Sequence, residues 1–325
     1  MPPEASVTEC DYELVDVGNK QLWSEWANLL TAEGWTSLDR PCKALAPTWP
    51  TIKCVFARRK SDGAHLSSIV WKENAEVAWI AAYLTVPEAR GRGIGSLVWQ
   101  RAMQRIASTG LVLGLMSEVD MVDKYKAKWT PFEESVQVKY YLTTKQINML
   151  SDKVREKYIN AVDNGATLVN VKESEIALKE FLELDMSTIG SDSSVFWQKS
   201  LDVPQTDAFV LLGGNGKALA IGAVSKTGHE HDKTFKIGPL FAPHIAFFSC
   251  IVDAIVNHVM KDKDDPVFVI NLQSSTVGYE LREILEDELP DVFPHGPYPC
   301  LYSTQYSPRL DSKMCIFPNT DQLDQ

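Results

Sequence analysis

The most constraining stretch of this chain is Tyr83-Leu84-Thr85-Val86-Pro87-Glu88-Ala89-Arg90-Gly91-Arg92-Gly93-Ile94-Gly95-Ser96-Leu97. Residues 77–86 read as a long apolar strand ended by Pro87. Ile94, Leu97, Val98, Ala102 and Ile106 then share one face of a helix predicted over 93–108. The first N–H groups of such a helix lack intrahelical partners and carry partial positive charge. A diphosphate fits at that position. Gly91, Gly93 and Gly95 remove Cβ atoms that would block close approach and permit unusual backbone angles. Arg90 and Arg92 supply charge-assisted bonds to phosphate oxygens. The glycine spacing is not a dinucleotide fingerprint, and no Gly-Lys-Ser/Thr closes the turn as in a Walker loop. Gly213-Gly214-Asn215-Gly216-Lys217 precedes a strand rather than a helix, so it reads as a hairpin turn.

At 325 residues the chain exceeds what one compact core normally serves, which predicts two domains. Its 45 % hydrophobic and 23 % charged residues match an ordinary soluble globular fold. A net charge of −11 with no basic run argues against nucleic acid as a partner and suits a cationic small molecule better. The longest apolar stretch, 237–256, contains Pro239, Pro243, His244 and Asp253, which argues against a membrane span. Met1-Pro2-Pro3-Glu4-Ala5 shows no basic region before an apolar core, and a cytoplasmic location is expected. Cysteines at 10, 42, 54, 250, 300 and 315 form no C-x-x-C pair and read as reduced thiols. His229-Glu230-His231-Asp232 has no third ligand group at suitable spacing, so no metal is expected. Histidines 65, 244, 258 and 295 give no triad order, and no Gly-x-Ser-x-Gly elbow exists.

Periodicity predicts strands over 11–17, 54–59, 65–71, 77–86, 111–115 and 135–142, with helices over 21–32, 93–108 and 119–128. A charged helical connector falls within 144–164. The order then restarts: strand 168–171, helix 174–186, hairpin 209–212 with 218–224, strand 234–240, helix 244–260, strand 267–272, helix 278–289 and a last strand over 314–317. Both halves therefore run strand, helix, hairpin, strand, helix, strand, helix, strand, which points to a duplication.

Arg90-x-x-Gly93-x-Gly95, placed after a strand ending near Pro87, resembles the Gln/Arg-x-x-Gly-x-Gly/Ala motif of the GNAT superfamily of N-acetyltransferases. Glu33-Gly34-Trp35 upstream and Lys124-Tyr125-Lys126 downstream fit the same pattern, which covers residues 1 to about 145. The second half resembles a divergent GNAT-type domain of tandem proteins. Its Lys236-Ile237-Gly238-Pro239-Leu240-Phe241-Ala242 is similar to the corresponding strand-to-helix junction, but it lacks the Arg-x-x-Gly-x-Gly turn. The resemblance implies an α/β (α+β) fold of two tandem GNAT-like domains, each a mixed, mostly antiparallel splayed sheet flanked by helices. The implied division is 1–145 for an acetyl-CoA-binding domain, 146–165 for the helical connector and 166–325 for the divergent domain.

The resemblance also implies roles. Backbone groups of Tyr83, Leu84 and Thr85 would hold the acyl-pantetheine arm, and Arg90, Gly91, Arg92, Gly93, Ile94, Gly95 and Ser96 would cradle the diphosphate. One strand N–H would stabilise the oxyanion, a contribution of about 3 kcal/mol in other enzymes. Tyr125 is the candidate acid; a tyrosine there can equally pack as a half-buried aromatic. The Gly-Phe usual after this helix is replaced by Trp129-Thr130. Glu76, Glu118 and Asp120 are candidate bases, and a water chain could replace a dedicated one. Trp35, Trp49, Trp71 and Trp79 are candidate walls for an acceptor pocket. The implied reaction moves an acetyl group from acetyl-CoA to a primary amine of a small molecule or of a protein lysine, without metal, nucleic acid or membrane. The alternatives are a longer acyl-CoA donor, or a coenzyme A-binding sensor or scaffold without turnover.

Overall fold

The computed structural model describes residues 11–35, 40–158, 165–190, 192–227, 233–261, 265–274, 276–306 and 314–316; the His229-Glu230-His231-Asp232 run and Cys10 lie outside them. The first series of elements is β1 (Tyr12–Val15), α1 (Lys20–Ala32), the short α2 (Arg40–Leu45), β2 (Ile52–Arg59), β3 (His65–Glu73), β4 (Val77–Thr85), α3 (Ile94–Thr109), β5 (Val112–Met116), α4 (Val122–Lys126) and β6 (Phe132–Thr143). Helix α5 (Thr144–Lys157) leads into the second: β7 (Thr167–Asn170), α6 (Glu175–Ile189), α7 (Ser194–Leu201), β8 (Thr206–Leu212), β9 (Ala218–Lys226), β10 (Thr234–Phe241), α8 (Phe247–Met260), β11 (Val267–Gln273), α9 (Glu280–Glu288), β12 (His295–Tyr302) and β13 (Met314–Ile316).

Local chemistry explains several boundaries. Asn19 Oδ1 accepts from the Leu22 N–H at 2.9 Å and starts α1. Thr143 and Gln146 form a reciprocal capping box that starts α5 directly at the end of β6. Gly110 and Gly190 end α3 and α6 in the left-handed conformation. The Gly213–Lys217 turn joins β8 to β9, as the hairpin reading expects.

The strands form one sheet in the order β1-β2-β3-β4-β5-β12-β6-β11-β10-β9-β8-β7, with β13 set against β10. All pairings are antiparallel except β4 with β5 and β10 with β11. The order reads the same from either end, with one exchange. β12, from the second series, pairs with β5, and β6, from the first, pairs with β11. β12 and β6 then pair with each other at the centre. Each half-sheet is thus completed by a strand of the other half.

Packing follows the exchange. In the first half, Ile94, Val98, Trp99, Ala102 and Ile106 of α3 cover one sheet face, joined by Leu301 of β12. Leu22, Trp23, Trp26 and Leu30 of α1 cover the other. In the second half, Val138, Tyr140 and Leu142 of β6 and Ile147, Leu150 and Val154 of α5 sit in the same cluster as α8 and α9. Between β6 and β11, Gln137 Nε2 donates to Gln273 Oε1 at 3.0 Å, and Gln273 Nε2 donates to Ser135 Oγ at 2.9 Å. A buried polar chain of this kind holds one register, because a slip would leave each amide unpaired.

Two sequence expectations change. The strand that closes the second series is β12, at His295–Tyr302, and not the 314–317 segment, whose residues 314–316 pair with β10 instead. β12 carries Pro297 and Pro299 and so does not read as a central strand. The sheet accommodates Gly296-Pro297 in a register shift between His295 and Tyr298. Helices α2 and α7, of six and eight residues, are also additions, each too short for an apolar stripe to repeat over several turns.

Candidate functional site

β4 and β5 pair only over Val77–Ile80 with Val112–Leu115, and beyond Ile80 they part. The cause lies on the other side of β4. Between the pairs Val70↔Ala82 and Trp71↔Ile80, β4 has one extra residue, Ala81. Such a bulge bends its strand and increases the local twist. Val86 donates its N–H to Leu66 O. By alternation the backbone groups of Leu84 and Ala82 also face β3, in register with Ser68 and Val70. Tyr83 and Thr85 therefore turn their backbone polar groups toward the gap left by β5. Of the three strand residues assigned to the pantetheine arm, Leu84 is committed to β3, and its carbonyl also accepts from Ser67 Oγ at 2.9 Å.

The glycine turn leaves the far end of this gap. Gly91 and Gly93 have φ of +75° and +82°, and a Cβ at either would meet nothing within 4 Å. Their backbone angle, and not crowding within the chain, accounts for glycine there. Gly95 is different: a Cβ would stand 2.5 Å from Tyr83 Oη. The Leu97 N–H donates to Gly93 O at 3.2 Å, so the N–H groups of Ile94, Gly95 and Ser96 form the free first turn of α3. Arg90 Nε donates to Thr85 O at 3.0 Å, and its guanidinium pairs with Glu33 at the end of α1. The Glu33-Gly34-Trp35 segment and the turn are thereby joined.

The gap opens into a cavity of about 710 Å³. Tyr83, Thr85, Arg90, Glu118, Tyr125 and Trp35, all sequence candidates, line it. Buried Ile80, Leu115 and Trp99 line its inner part. Tyr125 stacks on Trp99 with ring centroids 5.3 Å apart, and Trp129 packs on the same indole at 4.9 Å. Trp129-Thr130 thus replaces Gly-Phe with an aromatic that fixes Trp99. Burial, with smaller contributions from Tyr83 and Asp120, pushes the Tyr125 phenol up to about 12. Glu118 follows β5, where partial burial raises its carboxyl above the usual range while Lys139 opposes the shift.

Other candidates lie elsewhere. Glu76 is exposed at the opposite end of β4 and accepts from Tyr306 Oη at 3.1 Å, outside the cavity lining. Asp120 is exposed and outside the lining too. Trp71 is fully buried and donates Nε1 to Glu73, Trp79 packs on Tyr302 and Trp49 on Phe196, so three of the four tryptophans serve packing. Among the described residues no cluster suited to a metal ion occurs, and no helix is long and apolar enough to cross a membrane. Cys42, Cys54, Cys250 and Cys300 are free thiols.

The sequence reading missed Lys139, Tyr141, His295 and Tyr298, which complete the cavity from β6 and β12. Alternation along Val138-Lys139-Tyr140-Tyr141-Leu142 could have marked the first two as facing away from the apolar set. The prolines of β12 hid the others.

In the second half the equivalent edge differs. β10 pairs with β11 over Thr234–Lys236 and then, at Leu240 and Phe241, with β13 of the same chain. Where β4 has an open edge, β10 has a strand.

Known structures share this overall fold. A tandem GNAT protein from the clavulanic acid biosynthesis pathway superposes with a TM-score of 0.61, at 13 % identity, covering 91 % of this chain and all of that one (100 %). The chain has a tandem GNAT fold. A GCN5-related N-acetyltransferase from Anabaena variabilis shares the fold with a TM-score of 0.52 and 11 % identity, covering 90 % of this chain and 72 % of that one. Saccharomyces cerevisiae N-myristoyltransferase, solved with bound myristoyl-CoA and inhibitors, shares it with a TM-score of 0.55 and 10 % identity, covering 95 % and 86 %. In sequence, the chain is 28 % identical over 267 residues to an uncharacterized protein of Caenorhabditis elegans, spanning 81 % of this chain and 82 % of the relative. No family model matches. Within the tandem GNAT fold, the open β4 edge and the glycine turn belong to the first half, and the cavity is shared by both.

Proposed function

We propose that the protein transfers a short acyl group, acetyl in the simplest case, from acyl-CoA to a primary amine. One observation carries this reading: the edge of β4 opens beside a helix N-terminus and leads into a cavity that contains Glu118 and Tyr125. The diphosphate of the donor fits the first-turn N–H groups of α3, with Arg90 beside them. The pantetheine arm would lie along Tyr83 and Thr85 as an added strand. Buried Ile80, Leu115 and Trp99 offer the acyl group an apolar lining.

In the reaction, the neutral amine nitrogen attacks the thioester carbonyl carbon. A C–N bond forms, the C–S bond breaks, and the amine proton passes to Glu118 directly or through a water. Partial burial makes Glu118 a stronger base than an ordinary carboxylate. A strand N–H of β4 would stabilise the oxyanion. Tyr125, protonated at neutral pH, returns a proton to the departing thiolate.

Thiol release from acetyl-CoA across a panel of primary amines tests the activity, and calorimetry with coenzyme A tests the turn. Gly93→Glu places a carboxylate where the diphosphate would sit and is expected to abolish binding. Gly93→Asn tolerates the left-handed backbone and serves as the folded control. Unchanged coenzyme A affinity in Gly93→Glu would sink the reading of the turn. Stoichiometric binding with no thiol release from any amine would favour the sensor instead.

A further inference from the structure

Past the end of β5 the cavity is walled by strands of the exchange. The last β5 pair is Met116 with Cys300, and Ser117 donates its N–H to Pro299 O at 2.9 Å. Glu118 and Tyr298 follow at this point and line the same space. Burial first, then Glu118 and Tyr141, raise the Tyr298 phenol above the ordinary tyrosine value, as expected for three neighbouring groups. Val138, Tyr140 and Leu142 fill the core of the second half, so Tyr141 projects from the opposite face of β6 into the cavity. It meets the His295 ring edge-to-face at 4.8 Å. Three rings from β6 and β12 thus line the approach to Glu118, and Met116 and Met121 add polarizable apolar surface at the same end.

We infer that the acceptor is a primary amine with an uncharged aromatic body, a ring joined to the nitrogen by a short carbon chain, which rests among Tyr141, His295 and Tyr298 while the nitrogen meets Glu118. The inference rests on the acyl-transfer reading. The charged groups of the lining already have partners. Arg90 is paired with Glu33. Lys139 acts on the Glu118 carboxylate, and its Nζ lies 5.8 Å from the ring centroid of Tyr298. A carboxylate on the acceptor would have to displace Glu33 from Arg90 or compete with Glu118 for Lys139. Parting such groups in a partly buried site leaves a charge uncompensated. The second ammonium of a diamine would meet Lys139, with Glu33 already engaged. A peptide would bring N–H and C=O groups that need partners of their own. Ring surface is what the wall offers without any exchange of partners. An apolar body gains by leaving water there. An aromatic one gains further from edge-to-face and offset contacts with the three rings.

The test uses the full chain, acetyl-CoA and thiol release with phenethylamine, ethylamine, cyclohexylethylamine, phenylalanine, putrescine and Nα-acetyl-lysine amide. Phenethylamine is expected to exceed ethylamine, phenylalanine, putrescine and the lysine amide by about tenfold or more in kcat/KM, the range for burying a ring without disturbing an ion pair. It is expected to exceed cyclohexylethylamine, of similar size, by about twofold to tenfold, the range of aromatic contacts. Tyr298→Leu is expected to bring the phenethylamine-to-cyclohexylethylamine ratio down toward one, with coenzyme A affinity by calorimetry unchanged as the check on folding, and Tyr298→Phe to keep it. Equal or better use of any of the other five acceptors by the unaltered protein overturns the inference and leaves acyl transfer standing, as does an undiminished ratio in Tyr298→Leu. Thiol release with none of these acceptors but with other primary amines overturns it as well, and release with no amine at all removes the acyl-transfer reading beneath it.

Discussion

A Cβ on Gly95 would stand 2.5 Å from Tyr83 Oη and 2.9 Å from Thr85 Oγ1. The third glycine of the turn is therefore where α3 touches the open edge of β4. Tyr83 is itself held edge-to-face against Trp99 at 5.2 Å, so its hydroxyl cannot retreat without disturbing the cavity wall. Gly95→Ala is expected to cost about 1–3 kcal/mol through overpacking, partly offset by the roughly 1 kcal/mol that alanine gains over glycine in a helix. The larger effect is expected on coenzyme A affinity, because Tyr83 must move into the gap. Tyr83→Phe removes the nearer oxygen and should relieve part of the defect. Additive losses in the double variant, measured by thermal unfolding and calorimetry, would count against this contact.

The rate should follow Glu118 and Tyr125 in opposite pH ranges. Burial raises the Glu118 carboxyl, so the base is lost by protonation at a higher pH than for a free glutamate. The acid limb of kcat/KM should accordingly rise through an apparent pKa above the ordinary carboxylate range and disappear in Glu118→Gln. Tyr125, with its phenol near about 12, remains a proton donor throughout the neutral range. Tyr125→Phe is expected to lower kcat far more than coenzyme A affinity. An unchanged kcat would remove the hydroxyl from the reaction and leave Tyr125 as a packing residue on Trp99.

His65 sets a stability limit on the acid side. Its ring is 4 % exposed, and burial lowers its pKa to about 4 despite the nearby Glu25. The unfolded chain binds a proton near the ordinary histidine value, and the folded chain resists it. Stability contributed by the neutral ring is therefore complete above about pH 6.5 and is lost as pH falls toward 4. The full loss amounts to roughly 3 kcal/mol. His65→Phe should flatten this part of the stability curve measured by urea unfolding between pH 7 and 4.5; the same slope in the variant would point to another group.

The strand exchange predicts that the halves do not fold separately. A chain of residues 1–145 would keep β6 without β11 or β12, and β5 would lose its β12 partner. Unpaired strand edges of that kind invite aggregation. Expression of 1–145 should give aggregate or a loosely packed species by size exclusion and circular dichroism. Mixing it with 146–325 should recover coenzyme A binding that neither piece shows alone. A monomeric, cooperatively unfolding 1–145 would contradict the mutual completion of the two half-sheets.

The chain by itself determined what depends on neighbours in sequence. Alternation and helical period placed β4, α3, β5 and α8 to within a few residues, since each buries a face its own pattern reveals. Spacing alone marked the turn at Gly91, Gly93 and Gly95, because backbone angle and close approach are local demands. Tertiary structure alone decided which strand stands beside which. The prolines of β12 disguise a central strand, and nothing local tells β6 to leave β5 for β11 and β12. For the same reason Lys139 and His295 gave no sign of sharing a cavity with Glu118. They are remote in sequence and meet only where long-range sheet pairing, driven by burial of both faces, brings the halves together.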